Sequence, residues 1–207
     1  MISISDVRAR REEMLDSLRD IVQFETPSDD KEAVDKLVSY LQDRCRELGG
    51  EVETIPQSHY GDLTVARWGS ASDQAPLLVL THIDTVWTRG TITRKPFEVT
   101  ETEARGPGIY DMKASIAMML QAMRFLSEEQ TKHRPIVWLI NTEEEVGSPV
   151  SRPHIERLAS QSEYVLVLEP PVEPNGALKT ARKGVGMFTL NISGLAAHAG
   201  ADPEKGV

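Results

Sequence analysis

Apolar positions along this chain fall into two rhythms. The first is helical. Met14, Leu15, Leu18, Ile21 and Val22 share one face, and so do Ala33, Val34, Leu37, Val38, Leu41, Cys45 and Leu48. Ser5 or Asp6 can cap the first of these helices and Asp29 or Asp30 the second, while Thr26-Pro27-Ser28 stops the first and Gly49-Gly50 closes the second. A third helical stretch, richest in methionine, carries Ala114, Ile116, Met118, Met119, Leu120, Met123 and Leu126. The second rhythm is a run of aliphatic residues with no polar break. It occurs at Leu77–Leu80, Pro135–Ile140 and Tyr164–Leu168, each the pattern of a parallel strand buried on both faces. Glu51–Ile55 and Leu63–Trp68 add two strands before them, and Arg152–Leu158 a short helix after the second run. Long helices interleaved with aliphatic strands predict an α/β fold, a mostly parallel sheet covered by helices.

The ends of these runs carry the chemistry. The first exits into His82-Ile83-Asp84, the second into Glu143-Glu144-Glu145, the third into Glu169-Pro170-Pro171. In open α/β sheets, ligands bind at the carboxyl ends of the strands. Asp111 follows the permissive turn Gly106-Pro107-Gly108 at the mouth of the methionine-rich helix. Taken alone, Asp111 reads as a helix cap and the three glutamates as a solvated acidic cluster.

Composition narrows the partners. The chain has 207 residues and a net charge of −9, which argues against a nucleic-acid surface or an anionic membrane. Its single cysteine, Cys45, rules out an internal disulfide framework and fits a reducing compartment. The N-terminus shows no signal-peptide pattern, and no apolar stretch approaches membrane-spanning length, so the expected location is cytoplasmic. His59, in a polar loop, and His154, within the short helix, read as surface residues, and His133 lies in a loop before a strand. Near residue 180 the texture changes to a basic stretch, an alternating Gly184–Ile192 and a small-residue segment around His198, which places a domain boundary there.

One imidazole and several carboxylates converging on a sheet edge suit Zn²⁺ or a similar divalent ion. So many carboxylates oppose one another's ionisation unless cations compensate them, and two ions bridged by one carboxylate meet that need. In an extended His82-x-Asp84, both side chains point the same way, so Asp84 can accept from the second ring nitrogen. Glu144 and Glu145, if extended, point to opposite sides, leaving one for metal and one as a general base.

The segments THIDTV, RGPGIYDMK, NTEEEVGS, VLEP and GLAAHAG, in this order and spacing, resemble the co-catalytic zinc exopeptidase family of glutamate carboxypeptidase, acetylornithine deacetylase and succinyl-diaminopimelate desuccinylase. The resemblance implies that His82 and Glu169 bind one zinc, Glu145 the other, and Asp111 both. It makes Asp84 the orienting partner of His82, Glu144 the general base, and His198 the oxyanion-stabilising histidine of a dimerisation domain. It also marks Asp111–Met112 as a candidate cis peptide. Two departures stand out: Ala114-Ser115 replaces a common Gly-Gly, and Glu143 stands where aspartate is common.

By the same resemblance, residues 1–180 form the N-terminal part of a zinc-hydrolase catalytic domain. Residues 181–207 begin an α+β dimerisation or lid domain. The last metal histidine of the family has no counterpart here, so the expectation is a fragment with little activity alone. The implied full-length parent is a homodimer with two Zn²⁺ per subunit (or Co²⁺ or Mn²⁺). It would hydrolyse an amide bond next to a free carboxylate, in a small peptide or N-acyl-amino acid. An N-acyl-amino-acid deacylase or dipeptidase is the alternative within this chemistry, and a non-catalytic metal-binding or dimerisation module the alternative outside it. Reading every carboxylate as a cap or a solvated end must account for five motifs at once.

Overall fold

The computed structural model describes residues 2–69, 72–129, 133–191 and 193–206. Met1, two residues of the Gly69–Gln74 turn, residues 130–132, Ile192 at the end of the alternating stretch, and Val207 lie outside the described residues. The chain divides into two compact units, Met1–Pro170 and Pro171–Val207, the division falling before the change of texture near residue 180.

The N-terminal helical rhythm is broken in two, α1 (Ile4–Ala9) and α2 (Arg11–Gln23). The cap of α1 is Ser3, earlier than expected: its Oγ accepts from the Asp6 N–H, and the Asp6 carboxylate accepts from the Ser3 N–H. Asp30 caps α3 (Lys31–Glu47), accepting from the Ala33 N–H, and Gly49 with φ +79° ends it. Then come β1 (Glu51–Ile55), β2 (Leu63–Trp68) and β3 (Leu77–His82). The connection after β3 contains a short helix α4 (Thr91–Arg94) and a hairpin of β4 (Glu98–Val99) and β5 (Ala104–Arg105). A kinked turn, Ile109–Lys113, leads into α5 (Ala114–Glu129). β6 (Ile136–Asn141), α6 (Arg152–Ser160) and β7 (Tyr164–Val167) complete the first unit.

The sheet order is β1-β2-β6-β3-β7. β6, β3 and β7 run parallel, β2 pairs antiparallel with β6, and β1 pairs antiparallel with β2 at the outer edge. The three ligand-bearing strands are thus neighbours with their carboxyl ends on one edge. β6 shows why its sequence has no polar break. Trp138 and Ile140 join Val79 and Ala66 in a core under α2, α3 and α5, while Val137 and Leu139 join Leu78, Leu63 and Val65 in a second core with Leu158 of α6. Every β6 residue is buried, and the Trp138 indole N–H donates to Thr81 Oγ1 at 2.9 Å.

β7 departs from expectation. It pairs with β3 in parallel, as expected, but all four of its residues are exposed, from 40% at Val165 to 57% at Tyr164 and Val167. It is the outer strand of the sheet, and its apolar side chains belong to neither core among the described residues. An aliphatic run records a preference for burial; it does not supply the layers that cover it.

The second unit carries an antiparallel bridge between Val172 and Ala177 and a short 3₁₀ turn at Pro203–Lys205. Residues 184–191 form no strand, and Val185, Met187, Phe188 and Leu190 are almost fully exposed. Their alternation has no paired neighbour to act on among the described residues.

Candidate metal centre

His82, the last residue of β3, is 1% exposed. Its Nε2 lies 2.9 Å from Asp111 Oδ1, 3.3 Å from Glu169 Oε1 and 4.0 Å from Glu144 Oε2. Strand exits and one turn thus bring His82, Asp111, Glu144, Glu145 and Glu169 together. Two groups of potential ligand atoms form, His82 with Asp111 and Glu145, and His82 with Glu144 and Glu169, each with its atoms within 4.8 Å of one another. One buried imidazole faced by four carboxylates suits a small divalent cation of borderline hardness, so the residues present fit such an ion.

Burial favours the neutral imidazole, but the carboxylates of Asp84 and Glu169 outweigh it and push His82 up to about 11. In the metal-free chain the ring proton is the cation that these carboxylates share. Glu144 and Glu145 are raised above the ordinary carboxylate range, first by burial and then by neighbouring negative charges, with His82 opposing.

Asp111 is placed by its turn and does not cap a helix. Gly108 has φ +70°, and a side chain there would meet Thr85 Cγ2 at 2.7 Å. The Lys113 N–H reaches back to the Gly108 carbonyl at 2.9 Å, the Asp111–Met112 peptide is cis, and Asp111 stays outside the helical conformation.

The three glutamates separate cleanly. They are not extended: Glu144–Val146 is a 3₁₀ turn, so Glu144 and Glu145 do not point to opposite sides of a strand. Glu143 is fully buried, and its Oε1 accepts the N–H groups of Val150 and Ser151 at 3.2 and 2.7 Å, just before α6. Its carboxylate thus ties down the segment that leads into α6.

Asp84, fully buried, does more than face a ring. His82 Nδ1 lies 3.3 Å from Asp84 Oδ1 and 3.1 Å from the Asp84 carbonyl. The same carboxylate accepts the main-chain N–H of Glu144 at 3.1 Å and of Glu145 at 3.2 Å, and the Ser28 hydroxyl at 2.6 Å. The exits of β3 and β6 are therefore tied through one side chain.

Several residues around this centre escape a reading by sequence. Ser28 and Thr26 read there only as a helix stop. Glu25 accepts the N–H groups of Gly90 and Ile92 at 2.7 and 2.9 Å. Burial would raise its pKa, yet these donors, with Thr91, hold it below its usual range. Lys113 is buried and its ammonium donates to the Phe24 carbonyl at 2.6 Å; burial pushes it down to about 8. One signal did exist for Lys113: with Ile116, Ala117 and Leu120 it lies on the buried face of the helical period. Ser28, 56 residues from Asp84, has no such signal.

His198 belongs to the second unit, where its Nδ1 accepts from the Gly200 and Ala201 N–H groups at 3.1 and 3.0 Å. His59 is exposed, as expected, whereas His154 is half-buried with its Nδ1 enclosed.

Residues 78–194 match the sequence profile of Peptidase family M20/M25/M40. Carboxypeptidase G2 from Pseudomonas sp. (strain RS-16) is 33% identical over 197 residues, 94% of this chain and 47% of that protein. Acetylornithine deacetylase from Proteus mirabilis (strain HI4320) is 30% identical over 177 residues, 83% of this chain and 44% of that protein. Human carnosine dipeptidase 1 shares the fold at a TM-score of 0.71, with 17% identity over 81% of this chain and 40% of that one. The chain thus spans about half the length of the relatives it matches. With more than half of its residues inside the family profile, the chain belongs to Peptidase family M20/M25/M40.

Proposed function

We propose that the full-length protein is a zinc-dependent hydrolase of an amide bond next to a free carboxylate, of the glutamate carboxypeptidase kind. The observation that carries this reading is the ring of carboxylates around the buried His82 Nε2. His82, Asp111, Glu145 and Glu169 would hold the metal, with Asp111 between two ions. A divalent ion held by these residues would supply carbonyl polarisation and an acidified water. Glu144 is the general base. Its carboxylate is half-exposed, sits at the rim of the cluster and has a raised pKa, which suits it to take a proton from water and pass it to the leaving nitrogen. Asp84 holds the imidazole by Nδ1, leaving Nε2 for the ion. His198, by the family resemblance, donates to the developing oxyanion in the assembled dimer. The 33% identity to carboxypeptidase G2 favours a carboxypeptidase over a deacylase of the same family.

The test is Glu144→Ala in the full-length polypeptide, assayed on N-acyl-glutamate. Zinc content should stay at the level of the unmodified protein while kcat falls at least about 100-fold, the usual scale for a lost general base. Undiminished turnover would refute the assignment.

A further inference from the structure

The loop between α2 and α3 does more than end a helix. From Phe24 to Ser28 it runs beside the exit of β3 and touches several supports of the centre. Pro27 and Thr85 form a parallel bridge, the Thr85 N–H donates to the Thr26 carbonyl at 2.8 Å, and Thr26 Oγ1 donates to the Ile83 carbonyl at 2.6 Å. The Lys113 ammonium, two residues past Asp111, anchors on the Phe24 carbonyl. The loop meets a site carboxylate directly through Ser28 Oγ–H to Asp84 Oδ2, at 2.6 Å and with both residues buried.

We infer that Ser28 is a positioning residue of the centre: its hydroxyl sets the rotation of the Asp84 carboxylate, and through it the places of His82, Glu144 and Glu145. Asp84 uses both oxygens. Oδ1 meets His82 Nδ1 and the Glu144 N–H, while Oδ2 meets the Glu145 N–H and Ser28. The two amide bonds, at 3.1 and 3.2 Å, are longer than the 2.6 Å hydroxyl contact, a short charge-assisted bond. Without it, Oδ2 keeps only the longer of the two amides. The carboxylate is then free to turn about its last bond, and the base and a metal ligand move with it. Ser28 touches neither metal nor substrate, so it acts wholly through Asp84.

This inference rests on the proposed metal site for its catalytic meaning, but its physical core does not need a metal. In the full-length polypeptide, Ser28→Ala is compared with the unmodified protein by site-resolved amide hydrogen exchange in the metal-free state. The Glu144 and Glu145 amides should exchange at least about tenfold faster, while the Trp138 and Leu139 amides of β6 keep their rates. Zinc affinity, by competition with a chromophoric chelator, should then weaken about tenfold, the lower end for residues that support metal ligands. kcat on N-acyl-glutamate should fall with KM unchanged. Unaltered exchange at Glu144 and Glu145, or equal acceleration throughout β6, would overturn the inference, because the hydroxyl would then be packing only. If the unmodified protein takes up no zinc while Ser28→Ala still speeds exchange at Glu144 and Glu145, the metal assignment is overturned instead and Ser28 remains the clamp of a metal-free turn.

Discussion

β3 has a parallel partner on each side, and the two partners differ sharply. β6 is buried along its whole length between two cores; β7 is exposed along its whole length at the edge of the sheet. Their sequences, Ile-Val-Trp-Leu-Ile-Asn and Tyr-Val-Leu-Val, read alike, and both lead into site carboxylates. Both nonetheless deliver those carboxylates to His82: Glu144 from one side at 4.0 Å and Glu169 from the other at 3.3 Å. Delivery depends on pairing register with β3, which the two strands share, and not on burial. The candidate ligands at this sheet edge thus come from strands of very unequal burial.

The comparison breaks most visibly under truncation in β6. Trp138→Ala should cost about 3–5 kcal/mol, because it empties a fully enclosed volume and removes the partner of Thr81 Oγ1. Denaturant unfolding of the 207-residue chain measures it, and a loss near zero would contradict the packing. Next in size is Glu169→Ala, which touches the exposed strand's contribution alone. Zinc affinity should fall more than about 100-fold, beyond the range for supporting residues, and the metal-free chain should lose the part of the His82 stabilisation that the Glu169 carboxylate supplies. Equilibrium dialysis decides this, and unchanged affinity would make β7 irrelevant to the centre.

A third expectation concerns protons. The folded pKa of His82, about 11, stands above its ordinary value of 6.5. Its contribution to the stability of the metal-free chain is therefore complete below about pH 6.5 and is lost as pH rises through 11. Zinc must displace that proton, so zinc affinity should rise with pH, about tenfold per unit for each proton released. Thermal melts with and without zinc from pH 6 to 9 test both signs: the metal-free melting temperature drifts down and the zinc-induced increment grows. The smallest effect belongs to Leu166→Ala in β7. At 47% exposure it should cost no more than about 1 kcal/mol in the 207-residue chain. A loss comparable to that of Trp138 would erase the contrast between the two strands.

Much of this was legible in the residues alone. The three aliphatic runs, their parallel order and the ligand types at their exits follow from local pattern, because an unbroken run followed by His or Glu is visible within ten residues. The exposure of β7 was not, because covering a strand is a property of other segments. Nor was the separation of the three glutamates. Glu143 is set apart from Glu144 by its full burial and by the N–H groups of Val150 and Ser151 that its carboxylate accepts. Ser28 was hidden for the same reason, its partner being fixed by the whole packing of α2 and α3 against the sheet.

The grip of Asp84 on Glu144 and Glu145 is made entirely to main-chain nitrogen. The turn's shape is therefore independent of the side chains mounted on it. A glutamine at position 144 would inherit the same scaffold as the native glutamate, the same Asp84 anchor and the same neighbours. The molecule thus offers a socket whose working group can be exchanged without rebuilding its mount. On the proposed reading of Glu144 as general base, activity differences among variants at this position would report proton transfer separately from architecture.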